Sequence, residues 1–238
     1  MSFLTSLVLS AATAEAADPV VCLVGVSAGD GSNLLLEVDL DSGAQSTVVS
    51  TTANLDAVRG FVTDGSRVGF VSGERVITMD LASGEAREET ASGGSLGGTD
   101  AVLLTAASGP GAAVFETLEA AATSGSTPRS SPVFSGFGSV AVEDGVLVSA
   151  RPTGKLLTVR DSSGQHVSWF VATSVSGAIW GLSLANGTLY ALDDGMASDP
   201  VVPSVRAFDP TSGETGPVVP VPLDPGHLAR GLACRVGP

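Results

Sequence analysis

The sequence has no long apolar run and few positive charges. No stretch approaches the roughly 18 consecutive apolar residues of a membrane-spanning helix, so no transmembrane segment is predicted. Lys and Arg total 11 against 25 Asp and Glu, which gives a net charge of −14. Because so acidic a chain repels phosphate backbones, nucleic acid is excluded as a partner. The chain has 2 histidines and no histidine cluster, so no metal site is predicted.

Glycine is abundant, and the apolar runs are short. The chain holds 30 glycines in 238 residues, and turn residues separate most of its short apolar stretches. This composition is typical of an all-β protein with many tight turns. The length suits a single domain with a full hydrophobic core.

The first 17 residues differ from the rest of the sequence. An apolar stretch from Phe3 to Ala12 is followed by Ala14-Glu15-Ala16-Ala17, which resembles the cleavage site of a signal peptide. The charged segment that usually precedes the apolar stretch is missing, so a leader helix packed on the domain is the alternative. We predict a signal peptide or leader over residues 1–17 and a domain over 18–238. A signal peptide would imply a secreted or periplasmic location.

A motif recurs along the domain: an alternating apolar strand followed by a Ser-Gly turn. Its copies end at Gly43, Gly84, Gly125, Gly164 and Gly213, with spacings of 41, 41, 39 and 49 residues. The third copy, LEAAATSG, is degenerate and is identified by its period more than by its pattern. A period of about 40 residues is that of a propeller blade.

Each unit also contains a second turn signal upstream. Asp64-Gly65, Asp144-Gly145 and Asn186-Gly187 each end a short alternating strand, and these dipeptides favour two-residue hairpins. With both turns, each unit has four antiparallel strands, which we name A to D. The sequence therefore predicts an all-β, five-bladed β-propeller of four-stranded antiparallel blades.

The first unit supplies strands B to D but lacks strand A. The C-terminal stretch Arg230-Gly231-Leu232 matches Arg59-Gly60-Phe61 on strand A of the second unit. We therefore predict that the C-terminal strand joins the N-terminal blade and closes the ring. Cys22 and Cys234 would then face each other on paired strands, at a separation that a disulfide can span. Two free thiols are the alternative.

The blades LLLEVDLDSGA, VITMDLASGEA and VRAFDPTSGET resemble those of the PQQ-like and YVTN-type β-propeller families. The resemblance spans residues 20–238 and implies the fold, because blades of this type serve many functions. Quinone-dependent dehydrogenases of this class resemble larger propellers. The sequence holds no residues matching their cofactor site, so no cofactor and no dehydrogenase activity are predicted. Exported binding modules and scaffolds of the PQQ-like type need no catalytic set.

Candidate binding residues cluster where strand A begins and where the loops are longest. Loop 194–203 and connection 219–227 lie on one predicted face. The candidates are Arg59, Phe137, Trp180, His227 and Arg230. The arginines suit an anionic or saccharide ligand, and the tryptophan suits a flat one. Alternatively, the arginines pair with acids such as Asp56 and Asp224, and Trp180 packs between blades. Asp193-Asp194-Gly195 is interpreted as a loop, with a cation site as the alternative.

These observations favour a non-catalytic binding module for a small anionic or saccharide ligand or for a partner protein. One alternative is a hydrolase or lyase that uses carboxylates and His227 at the mouth of the channel. Another is a scaffold for protein interactions that has no pocket. No nucleophile motif is present, so no catalytic residue is assigned. We expect a monomer.

Overall fold

The computed structural model describes residues 19–53, 55, 58–63, 65–72, 75–90, 139–143, 146–150, 155–160, 165–196 and 200–237. Several sequence predictions lie outside these residues: the leader over 1–17, the third repeat unit, Asp56, Asp64, the Asp144-Gly145 turn, the turn ending at Gly164, and Phe137. The described residues form strands and turns only, and none of them belongs to a helix that could cross a membrane.

The strands form four antiparallel sheets of four strands each, numbered here I to IV. Sheet I contains β1 (Val20–Ala28), β2 (Asn33–Asp39), β3 (Gln45–Thr51) and β16 (His227–Val236), in the order β16-β1-β2-β3. Sheet II contains β4 (Val58–Thr63), β5 (Arg67–Ser72), β6 (Arg75–Asp80) and β7 (Ala86–Thr90). Sheet III contains β8 (Ser139–Glu143), β9 (Val146–Ala150), β10 (Leu156–Arg160) and β11 (His166–Val171). Sheet IV contains β12 (Ile179–Ala185), β13 (Thr188–Asp193), β14 (Ser204–Phe208) and β15 (Thr215–Pro220).

The sheets pack face to face in the row III, IV, I, II. One buried cluster, which includes Leu157, Leu184 and Phe208, fills the space between sheets III and IV. A second cluster lies between IV and I, and a third, around Phe61 and Phe70, lies between I and II. Sheets IV and I are therefore buried on both faces, which is how blades pack in a β-propeller.

The C-terminal strand β16 lies beside β1 and completes sheet I. Cys22 stands opposite Cys234 in the register, and the two cysteines form a disulfide. Both are buried in the cluster between sheets IV and I. The predictions of this strand pairing and of this disulfide are confirmed. The described sheets form no closed ring, and the predicted number of five blades depends on residues outside those described.

Asp39, Asp80 and Asp209 each stand four residues before the glycine that ends their repeat, and they form the turn there. In each turn the aspartate carboxylate accepts hydrogen bonds from the backbone N–H groups two and three residues on, at 2.6–3.0 Å. The glycine that follows has a φ of 72–74° and donates its N–H to the aspartate carbonyl. The hydrogen bond from the backbone of the turn serine is the main cause that lowers the pKa of Asp39, Asp80 and Asp209. The carboxylate in the motif D-x-x-S-G thus stabilises a local turn and does not form a ligand site.

Sheet IV approaches sheet I very closely at Gly181. A methyl group added at Gly181 would lie 2.6 Å from both the backbone nitrogen and Cβ of Leu232 on β16. Only a glycine allows β12 to lie this close to β16. Since Trp180 on β12 and Arg230 on β16 flank this contact, the approach also sets their separation.

We predict that Gly181→Ala destabilises the protein by about 1–3 kcal/mol, because the added methyl group must push β12 away from β16. Urea unfolding followed by circular dichroism measures the loss. Gly29→Ala is the matched control, since nothing lies within 4 Å of a methyl group at that position. Equal stabilities of the two variants would contradict the close packing of these strands.

We predict that the double variant Cys22→Ala, Cys234→Ala is less stable than the wild type by about 2–5 kcal/mol. The disulfide joins residues separated by 212 positions, and the loop-entropy model assigns about 5 kcal/mol to a loop of this length. Thermal unfolding with and without dithiothreitol provides the test. The reductant should lower the melting temperature of the wild type and leave that of the variant unchanged. A reductant-insensitive wild type would argue against the bond.

Candidate functional site

A cavity of about 300 Å³ opens where the long loops meet the start of β16. One wall consists of Asp194, Val201 and Pro203, which follow strand β13 in the sequence. The other wall is the stretch from Leu223 to Arg230, which includes His227. The cavity therefore lies between the two segments that the sequence analysis selected for their length. We call it the loop cavity.

Arg230 and Trp180 stack on each other beside the loop cavity. The guanidinium carbon of Arg230 lies 4.4 Å from the centroid of the Trp180 ring, within the range of a cation–π interaction. The indole Nε1 donates a hydrogen bond of 2.8 Å to Oδ2 of Asp194. Asp194 is fixed in turn, because its Oδ1 accepts from the backbone N–H groups of Ala178 and Met196. Asp194, Trp180 and Arg230 therefore form a continuous series of contacts from loop 194–203 to strand β16.

Arg230 is held in place without an ion pair among the described residues. Its Nε lies 3.4 Å from the hydroxyl of Ser27, a buried residue on β1. The ion pairs between described residues are Arg206–Asp193 and Arg235–Glu37. The predicted alternative of an Arg230–Asp224 brace is therefore not what the geometry shows. With Nε directed at Ser27 and the guanidinium carbon above the Trp180 ring, the terminal nitrogens carry the remaining donors of Arg230.

His227 begins β16 and is positioned by the tight turn before it. Its backbone N–H donates 3.0 Å to the carbonyl oxygen of Asp224, and Gly226 within this turn has a φ of 88°. Its Nδ1 lies 3.3 Å from the same carbonyl oxygen. In the described part of the chain no group of three or more His, Cys, Asp or Glu side chains could hold a metal ion.

A buried carboxylate, Asp193, organises the backbone under the cavity. It is fully buried and accepts hydrogen bonds from the backbone N–H groups of Ser176, Gly177 and Gly195, at 2.7–3.0 Å. Its Oδ2 also accepts 3.0 Å from Nε of Arg206. Burial alone would raise the pKa of Asp193, but the backbone hydrogen bonds outweigh it and hold that pKa below the ordinary value. Asp193 is thus a structural anion, bound by the protein itself.

The structure brings three of the predicted binding residues together. Trp180, His227 and Arg230 all lie at or beside the loop cavity. The backbone of Arg59 lies on β4 opposite Val71, and Phe137 is outside the described residues.

Sequence reasoning missed the roles of Asp194 and Ser27, which fix Trp180 and Arg230. The interpretation of Asp193-Asp194-Gly195 as a loop holds for Asp194 and Gly195, whereas Asp193 ends strand β13. Both carboxylates accept hydrogen bonds within the protein. The local sequence does not indicate the Trp180–Asp194 and Arg230–Ser27 hydrogen bonds, because the bonded residues lie 14 and 203 positions apart.

The cavity offers hydrogen-bond donors from a positively charged side chain and acceptors from negatively charged side chains. Arg230 supplies donors, Asp224 and Asp194 supply carboxylates, and the prolines and aliphatic residues of the wall supply apolar surface. Arg230 covers one face of the Trp180 ring, so that face is not open for stacking on a sugar. The arrangement suits a small polar ligand that is held by hydrogen bonds.

No protein-family model matches the chain, and no curated protein matches it in sequence. A solved structure of a protein of unknown function from Bacteroides caccae is 12% identical, with a TM-score of 0.51 over 91% of this chain and 98% of that one. A chain of a nidogen/laminin complex is 11% identical, with a TM-score of 0.44 over 89% and 84%. The hemopexin fold protein CP4 from cow pea is 11% identical, with a TM-score of 0.41 over 82% and 85%. The first similarity extends over nearly the whole of both chains and concerns the fold alone.

We predict that Asp193→Asn destabilises the protein by about 3 kcal/mol at pH 7, because it removes the charge that Arg206 and the three N–H groups surround. The variant should also lose part of the acid sensitivity of the wild type. A carboxyl whose pKa is lowered by folding stabilises the native state above its unfolded pKa, near 3.8. That contribution disappears as the pH falls through the lower native pKa.

Urea unfolding at pH 7 and at pH 3 measures both effects. Asp209→Asn is the control, because Asp209 lies in an exposed turn whose hydrogen bonds an asparagine oxygen can keep. An Asp193→Asn variant that matches this control in stability would contradict the structural role of the buried carboxylate.

Proposed function

We propose that this chain is a non-catalytic β-propeller binding module and that the loop cavity holds a small anionic or saccharide ligand. The observation that carries the proposal is the position of Arg230, stacked on Trp180 at the wall of the cavity beside His227. A guanidinium that is fixed before the ligand arrives loses little conformational freedom on binding.

The charges of the cavity favour a ligand with both a carboxylate and hydroxyl groups. Arg230 is the group that would recognise an anion, through charge-assisted hydrogen bonds. Asp224, which is exposed, would accept hydrogen bonds from hydroxyls. A sugar acid satisfies both sets of groups at once, whereas a multiply charged anion would meet the two neighbouring carboxylates.

The second candidate function is a hydrolase or lyase that uses carboxylates and His227. Against it, both oxygens of Asp194 already accept hydrogen bonds from the protein. Among the described residues, the carboxyl groups with a shifted pKa are all shifted downward, whereas a general acid needs a raised one. A partner protein bound on the same face is the third candidate, and a scaffold without a ligand is the fourth.

The proposed architecture is a ring of five blades over residues 18–238, closed where β16 joins sheet I. Residues 91–138 lie between sheets II and III in the sequence and would supply the fifth blade. Residues 1–17 would direct export. The disulfide supports this location, because such bonds persist in oxidising compartments.

We predict that glucuronate binds more tightly than glucose or succinate in isothermal titration calorimetry. Arg230→Ala should weaken glucuronate and succinate binding by roughly 10- to 100-fold, the loss expected for a charge-assisted hydrogen bond. Glucose binding should change much less. Arg87→Ala is the control for the loss of one positive charge, because Arg87 is an exposed residue of β7.

The melting temperature of Arg230→Ala should stay close to that of the wild type, which separates binding from folding. Binding of none of the three probes would contradict the proposal. Consumption of a glucuronate-containing disaccharide, detected as new reducing ends, would favour the hydrolase instead.

A further inference from the structure

Sheet III carries an exposed apolar face on its outer strands. Val167, Trp169 and Val171 alternate along β11 and are 61%, 62% and 46% exposed. Leu156 on β10 stands opposite Val171 and is 39% exposed. We call these four residues the sheet III patch. A tryptophan flanked by two valines on the last strand of a sheet is a large apolar area to leave in water.

The opposite face of sheet III is already covered. Leu157, Val159 and Phe170 point away from the patch and pack in the cluster between sheets III and IV. In sheets IV and I both faces are buried in this way. Sheet III is an end of the row that the buried clusters define. Its inner strand β8 contacts β4 of sheet II, whereas the patch on its outer strands β10 and β11 stays exposed.

A buried polar atom lies on the same face as the patch. The register places Ser149 on β9 beside Thr158 on β10, and Thr158 beside Trp169. The hydroxyl of Ser149 is buried and has no hydrogen-bond partner among the described residues. Buried hydroxyls are normally paired. The face is thus buried at Ser149 without a described polar partner, and it is exposed at the patch on β10 and β11.

We propose that the sheet III patch is the docking surface for residues 91–138 of the same chain. This 48-residue stretch leaves the end of sheet II after Thr90 and enters sheet III at Ser139, so its two ends are tied to the two ends of the row. Its length is close to the repeat spacings of 39–49 residues. It also contains apolar residues of the required kind: Val102, Leu103, Leu104, Val114, Phe115 and Leu118.

A tethered segment is a better occupant than a second copy of the chain. The tether holds it near the patch at a high effective concentration, whatever the protein concentration. Two copies, each with a net charge of −14, would repel each other as they approach. The inference rests on the proposed fifth blade and names the surface that this blade would cover. It does not use the loop cavity, so its failure would leave the proposed ligand untouched.

Photo-cross-linking identifies the occupant. The full-length chain is made with p-benzoylphenylalanine in place of Trp169, irradiated, digested and analysed by mass spectrometry. We expect Trp169→p-benzoylphenylalanine to link to peptides from residues 91–138. The yield should be roughly tenfold above that of the same substitution at Val218, because the tether raises the local concentration of the segment. Val218 is the control since it lies on β15, the corresponding outer strand of sheet IV, and is 43% exposed.

An equimolar mixture of ¹⁴N- and ¹⁵N-labelled chains distinguishes the alternatives. Links to residues 91–138 that never combine the two isotopes support the proposal. Mixed-isotope links would assign the patch to a second copy, and links to neither would leave it open to an unrelated partner. Either of these two results overturns the proposal.

Tryptophan fluorescence tests the proposal without altering the patch. The chain has 2 tryptophans, so Trp180→Phe leaves Trp169 as the single reporter. A covered Trp169 emits at shorter wavelength and resists quenching by acrylamide. Replacing residues 96–133 with a Gly-Ser linker should shift the emission to longer wavelength and raise the quenching constant. Identical spectra and quenching in the two chains would overturn the proposal.

Discussion

The pairing of β16 with β1 is the contact on which the described structure depends. It brings the last strand of the chain into sheet I, where the Cys22–Cys234 disulfide fixes the register. β16 then forms a wall of two apolar clusters, because Leu232 faces sheet IV and Ala233 faces sheet II. Without this strand, both neighbouring sheets would expose apolar surface, and the loop cavity would lose the side that carries His227 and Arg230.

The row of sheets explains where apolar surface is buried and where it is not. Sheets I, III and IV carry apolar residues on both faces, so each is stable only between two others. Sheets IV and I meet this condition within the described residues. On sheet III the patch stays exposed, and the proposed docking of residues 91–138 would cover it.

The candidate site arises from equivalent positions in neighbouring blades. Trp180 and Arg230 each precede the glycine of a strand A, so the repeat alignment predicted both as candidates. Their stacking, and the fixing of each by Asp194 and Ser27, could not be predicted. These contacts depend on the close approach of β12 to β16, which a one-dimensional pattern does not encode. The same packing engages both oxygens of Asp194 in hydrogen bonds within the protein.

The sequence by itself determined the local elements and their order. The alternation of apolar residues sets the strands, and the D-x-x-S-G and Asn-Gly turns use only hydrogen bonds and φ angles within a few residues. It also indicated that the two ends pair, because Arg230-Gly231-Leu232 repeats an earlier strand. Only the tertiary structure decided which side chains share a cavity and which apolar face lacks a cover. Those outcomes depend on distances between sheets, which are set by packing among residues far apart in the chain.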